Sequence, residues 1–234
     1  MVSLRRIFVS ALAPMLLLLI NSNVKADPVY GTPVPTANFS GSRTESAGNI
    51  VTGGNYSSDN KNFTITWNIT LNSGVYTYTY TFTGFGSPDL SHFILDLTDN
   101  CVDGDKQTKD ARCVYNVSDG VGDLDWGTFG PGPSNPGFPS GSSITGVKFD
   151  NLDDAGSGFS VTFNSLRAPM WGDFYVKGGS NSFAYNAGLS NHSSDDVNKF
   201  IAVPDSRTAV PEPATLLLLG SGLAGIGAGL RRRR

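Results

Sequence analysis

Histidine, cysteine and glutamate are nearly missing from this chain of 234 residues. It has two histidines, His92 and His192, two cysteines, Cys101 and Cys113, and two glutamates, Glu45 and Glu212. Two lone cysteines meet no zinc pattern. No Gly-x-Ser-x-Gly elbow occurs in the body, and no His-Glu-x-x-His or phosphate loop occurs anywhere. His92 sits inside an apolar run and reads as a hydrogen-bonded structural residue, while His192, in "SNHSSDD", reads as part of a solvated loop. A glycosidase pair would have to come from aspartates, because Glu45 is the only glutamate of the body. The expectation is a protein that is not an enzyme, with a calcium-dependent glycan-active enzyme or a carbohydrate-binding module as the alternative.

Long apolar runs are confined to the two ends. "MVSLRRIFVSALAPMLLLLINSNVKA" has a basic start at Arg5 and Arg6, an apolar stretch over residues 7–20 and small residues at Val24 and Ala26. That is the layout of a secretory signal peptide, 1–26, leaving Asp27 as the first mature residue. About 14 apolar residues fall short of the ~20 that span a hydrocarbon core. Arg5-Arg6-Ile7-Phe8 also fits a twin-arginine signal, but the strongly apolar run favours the general secretion machinery and signal peptidase.

At the other end, residues 214–230 carry no charge, and as a transmembrane helix would be ~25 Å long at 1.5 Å per residue. Small residues at Ser221, Gly225 and Gly229 lie four apart on one face of such a helix. Arg231, Arg232, Arg233 and Arg234 follow, and hold that end on the cytoplasmic side by the positive-inside bias. Pro211 and Pro213 disfavour helix and keep Glu212 in an extended segment of the kind a protease binds. A plain membrane anchor fits this pattern too. A eukaryotic lipid-anchor signal fits less well, because its apolar tail normally ends without a basic cluster.

Pro-Glu-Pro, a Gly-rich apolar run and a terminal arginine cluster together resemble the PEP-CTERM sorting signal of Gram-negative bacteria, over about residues 209–234. The resemblance implies an exosortase as partner, a membrane-embedded cysteine transpeptidase cutting at or near Pro211-Glu212-Pro213. The chain would be tethered to the inner membrane before processing, then passed to the cell surface or extracellular matrix with its exopolysaccharide. Such tails are also catalogued as an ice-binding protein C-terminal domain, a label that is not itself evidence of ice binding.

Between the ends lie residues 27–210, enough for one domain with a real core. This stretch holds ten basic and nineteen acidic residues, a net charge of −9. So acidic a body argues against nucleic acid, and against anionic membrane, as a partner recognised through charge. "FTITWNITL" (63–71) and "VYTYTYTFT" (75–83) alternate apolar and polar residues with period two. A two-residue loop at Ser73-Gly74 pairs Leu71 with Tyr76, Ile69 with Tyr78 and Trp67 with Tyr80, uniting the apolar faces. Further strands are predicted over 90–97, 113–117, 144–149, 158–163, 173–178, 182–189 and 199–203. No stretch of the body shows a helical period with caps. The fold class expected is all-β, a single antiparallel β-sandwich of jelly-roll type over 27–203. Residues 27–48 read as a polar lead-in, and 204–210 as a linker to the tail.

Four side-chain patterns carry chemistry. Cys101 and Cys113, in an exported body, predict a disulfide worth ~3 kcal/mol on the chain-entropy model. Asp103, Asp105 and Asp110, then Asp119, Asp123 and Asp125, then Asp150, Asp153 and Asp154, sit in Gly-containing turns. Turns of this kind suit calcium, and the first two clusters supply the candidate ligands Asp103, Asp105, Asp119, Asp123 and Asp125; aspartate is equally a turn residue. Trp126, Phe129 and Phe138 fall in an uncharged, proline-rich stretch and are candidates for sugar contact from a loop. Trp67 and Trp171 read as packing residues. Thr77, Thr79, Thr81 and Thr83 line one strand face; ice recognition would need such rows on several adjacent strands, and exposed Thr is ordinary in a sandwich.

Overall fold

The computed structural model describes residues 28–58, 60–97 and 113–205. The signal segment, Cys101, Asp103, Asp105, Asp110 and the tail from residue 206 lie outside the described residues. Twelve strands are described: β1 (Ser40–Thr44), β2 (Ile50–Gly53), β3 (Thr64–Asn72), β4 (Val75–Thr83), β5 (Leu90–Asp96), β6 (Val121–Phe129), β7 (Ile144–Leu152), β8 (Ser160–Ser165), β9 (Met170–Gly172), β10 (Phe174–Gly178), β11 (Phe183–Asn186) and β12 (Ile201–Val203). They form a four-stranded sheet, β1-β3-β4-β8, a six-stranded sheet, β2-β11-β10-β5-β7-β6, and a two-stranded ribbon, β12-β9. Every strand pair is antiparallel. This is the all-β sandwich the alternation predicts, and among the described residues the helical turns are short 3-10 pieces.

Alternation explains the core. Ile65, Trp67 and Ile69 on β3, and Tyr78, Tyr80 and Phe82 on β4, turn inward and are buried. They meet Phe93 and Leu95 of β5 and Val147 and Phe149 of β7 in one cluster. Each such side chain, fully buried, contributes roughly 1.5–3 kcal/mol. Three tyrosines bring hydroxyls into this interior, and all donate: Tyr78 to the carbonyl of Arg167 at 2.8 Å, Tyr80 to that of Ala202 at 2.8 Å and Tyr56 to that of Pro88 at 3.0 Å. A buried hydroxyl without such a partner would cost more than its hydrogen bond contributes.

The β3–β4 register matches the sequence expectation residue for residue: Leu71 opposes Tyr76, Ile69 opposes Tyr78 and Trp67 opposes Tyr80. Ser73 and Gly74 have φ of 50° and 82°, the left-handed pair that a tight two-residue turn demands. Gly74→Val should therefore destabilise the protein by about 1–2 kcal/mol, the cost of a side chain in that region. Gly127→Ala, where an added Cβ meets nothing within 4 Å, is the matched control. Urea titration of both variants checks this, and equal midpoints would refute it.

The polar residues of the four-stranded sheet fall together on its outward face. One cross-strand row runs Ser40, Asn68, Thr79, Thr162; the next runs Ser42, Thr66, Thr81, Ser160. Flanking rows are Thr44, Thr64, Thr83 and Thr70, Thr77, Asn164. None of these residues is buried.

Five stretches differ from the sequence expectation. The supposed lead-in contains β1, whose inward positions are Gly41 and Arg43 rather than apolar residues. A Cβ at Gly41 would lie 2.2 Å from the Trp67 ring, so glycine is what lets β1 approach. The stretch 121–129 is an edge strand, β6, not a run of loops. Residues 113–117 form no strand, only a bridge between Tyr115 and Asn164. The short strands β2 and β9 went unpredicted, being four and three residues long.

Candidate functional site

The aromatic candidates are not displayed to solvent. Trp126 lies on β6 among the core residues and is 8 % exposed, so it is no loop platform for sugar. Its Nε1 donor has no hydrogen-bond partner among the described residues. Phe138 packs on Tyr175 with ring centroids 5.0 Å apart, and Phe129 is half-buried at the rim of the same cluster. The proline-rich segment after β6 lies on the outer face of the six-stranded sheet, where uncharged residues can cover apolar ones. It is pinned there by Tyr175, which donates to the Pro136 carbonyl at 2.7 Å, and by Asn135, 3.2 Å from His92 Nε2.

His92 is the structural histidine expected. Burial pushes its pKa down to about 4, with Lys148 and Lys177 adding to the effect and Asp150 opposing it. The unfolded chain takes up this proton near the ordinary value of 6.5. Stability from neutral His92 is thus complete above pH 6.5 and lost as pH falls toward 4, by up to about 3 kcal/mol. His92→Gln should flatten that part of the pH–stability curve in denaturant titrations, and an unchanged slope would refute the assignment.

Of the calcium candidates, Asp119, Asp123 and Asp125 are described, while Asp103 and Asp105 lie outside the described residues. Alternation on β6 turns Asp123 and Asp125 outward, where partners from β7 already meet them. Asn151 donates to Asp123 at 2.6 Å, and Lys148 lies 2.9 Å from Asp125 and 2.5 Å from Asp150. Burial disfavours charge on Lys148 and Asp150, but their hydrogen bond, the further bonds from Lys148 to Asp125 and from the Asn151 N–H to Asp150, and the neighbouring charges together outweigh it, raising the lysine and lowering the carboxyl. Asp119 borders a shallow polar depression at the turn into β6. Among the described residues no three His, Cys, Asp or Glu groups lie close enough to hold a metal ion, so the calcium expectation finds no cage there. Cys113 is buried and is not a free thiol.

A polar cluster that the sequence did not announce sits where the two ends of the body meet. Tyr30 donates to Asp96 at 2.8 Å, and its ring stacks on His192 at 3.8 Å and 3°. His192 Nε2 lies 2.6 Å from Oδ2 of fully buried Asp173, whose Oδ1 accepts from Asn186 at 2.6 Å. Burial, then the charges of Asp205 and Asp173, push Asp96 well above the usual carboxylate range. His192 is therefore tied down, although its side chain stays 38 % exposed. It borders a pocket of about 290 Å³ with Ser142, Ser143 and Ser190. An Asp–His pair is the orienting half of a nucleophilic triad. Among the described residues, however, no hydroxyl hydrogen-bonds His192, and the arrangement is a clamp. Residues 31–34 run along one side of β9 while β12 pairs on the other. Tyr30 and Asp205 thus share one region, since the Asp205 charge reaches both Tyr30 and Asp96.

Beyond Asp205 comes the segment that decides the matter. Residues 209–234 match the family model for the PEP-CTERM protein-sorting motif. The chain carries a PEP-CTERM sorting motif. No curated protein and no solved structure matches the chain. The PEP-CTERM motif covers Pro211-Glu212-Pro213, the apolar stretch and the arginines, and implies export, sorting by an exosortase and delivery to the cell surface. Among the described residues no helix is long and apolar enough to cross a membrane; the expected span 214–230 lies outside them.

Proposed function

We propose that this chain is a non-enzymatic component of the surface or extracellular matrix of a Gram-negative bacterium, associated with exopolysaccharide. The general secretion machinery exports it and signal peptidase removes 1–26. The apolar stretch 214–230 holds it in the inner membrane until an exosortase acts at or near Pro211-Glu212-Pro213. The observation that carries this reading is the PEP-CTERM match over 209–234.

Two features support it. Cys113 is not free and Cys101 is the only other cysteine of the chain, so a Cys101–Cys113 disulfide is proposed, in keeping with an oxidising compartment. The described residues end at Asp205, six positions before Pro211, a separation of at most about 20 Å even in a fully extended chain. The body and the processing segment therefore stay close to one membrane surface. Expression with and without an exosortase gene tests the proposal. Without it, full-length precursor is expected in the membrane fraction; with it, a shorter form at the cell surface. The same distribution in both would overturn the proposal.

A further inference from the structure

We infer that the outward face of the four-stranded sheet is a docking surface for neutral polysaccharide chains, an inference that rests on the proposed association with exopolysaccharide and assigns it to one surface. Its rows hold only Ser, Thr and Asn, without a charge or an aromatic ring, on a body whose net charge is −9. A strand carrying alternate threonines is ordinary; four adjacent strands in register are a surface.

The hydroxyls are ordered across strands before any ligand arrives. Thr79 lies 3.1 Å from Thr162 and Thr81 lies 2.7 Å from Ser160, while Ser40 donates to Asn68 at 2.6 Å and Thr77 to Asn164 at 2.9 Å. Each hydroxyl has one donor and two acceptor positions, so these bonds leave capacity pointing outward. Ordering in advance reduces the entropy lost on binding.

The chemistry narrows the occupant. Nucleic acid and anionic lipid require cations, and these rows have none. A protein partner is anchored by aromatic or arginine side chains, equally missing here. A short sugar in a pocket needs concavity and stacking faces. Rows on several strands also meet the requirement for ice, which the adsorption test below separates; the occupant proposed is a long, uncharged chain of hydroxyls lying flat over several strands and held by many weak contacts. An acidic polysaccharide would be repelled by the body around the face.

Co-sedimentation of the full chain, in mild detergent for its apolar tail, with insoluble cellulose and chitin tests this, with alginate gel as the acidic probe. The full chain should sediment with a neutral probe. Thr66→Lys/Thr79→Lys should weaken this at least about tenfold, while Thr66→Ser/Thr79→Ser keeps it. Ser42→Lys/Asn68→Lys, at more exposed positions, replaces the lysine pair if that fails to melt like the parent. Lysine variants that bind like the parent would overturn the inference. So would a parent that ignores both neutral probes yet co-fractionates with its own cell's exopolysaccharide, an outcome that leaves the proposed function standing. Adsorption to ice without retention on either neutral probe would overturn it in favour of a water lattice.

Discussion

Glu212→Ala, or deletion of arginines 231–234, is expected to leave the full-length precursor in the membrane and remove the processed form from the surface. The two changes act on different physics. Glu212 is the one charge between Asp205 and Arg231 apart from Arg207, and two prolines hold it in extended backbone. Alanine keeps that backbone but takes away the carboxylate, so it tests recognition alone. The arginines fix which side of the membrane the C-terminus occupies. Replacing all four by lysine keeps the charge and should keep sorting, which separates topology from side-chain recognition. Cell fractionation followed by immunoblotting reads both outcomes, and normal processing of both loss variants would sink the exosortase assignment.

The largest effect on the folded body is expected at Arg43. This residue of β1 is 8 % exposed, yet it carries a full charge into the space between the sheet and the C-terminal strand. Its guanidinium donates to three carbonyls: Phe200 at 2.8 Å, Val197 at 2.9 Å and Ser42 at 2.8 Å. It also lies over the Trp67 ring, 4.8 Å from the centroid, with Trp171 at 5.6 Å. Burial lowers its pKa to about 10, so it remains protonated at neutral pH. Arg43→Ala removes the ring contact and takes the side-chain donor from the Phe200 carbonyl, while the Val197 carbonyl keeps the Phe200 N–H at 3.2 Å. A stranded carbonyl costs about 1–3 kcal/mol and an enclosed cation–ring contact up to about 2 kcal/mol, so the expected loss is on the order of 2–5 kcal/mol. Lysine offers a charge but not the planar fork, and should recover only part of it. Chemical denaturation measures the difference, and a loss below about 1 kcal/mol would refute this role for Arg43.

The parts of the fold that the sequence made legible are those where alternation pairs apolar with polar residues. The β3–β4 hairpin could be read to the residue because Ser73-Gly74 fixes the turn and a slip would bury threonines. β1 was hidden because its inward residues are a glycine admitting a tryptophan and an arginine lying on it, neither of which scores as core. β6 was hidden because aspartates and glycines read as turn residues, although on this edge strand they face Lys148 and Asn151. The clamp of Tyr30, Asp96, Asp173 and His192 brings together residues up to 162 positions apart, and no local pattern announces a contact of that range. The sorting motif is legible for the opposite reason, since its prolines, apolar run and arginines are contiguous.

The position of β12 has a mechanical consequence. A protein held by its C-terminal end receives any pull through its last strand. Among the described residues that strand, β12, pairs with β9 alone, through Met170, Trp171 and Gly172. Tension entering at Asp205 therefore reaches a ribbon three residues long before either large sheet feels it. What resists is mostly sideways anchorage: Ile201, Ala202 and Val203 are completely enclosed, and Tyr80 grips the middle carbonyl from the opposite sheet. Flow or cell movement would thus strain the ribbon first, with Arg43, bonded to the chain just upstream of β12, as the point where the force passes into the four-stranded sheet.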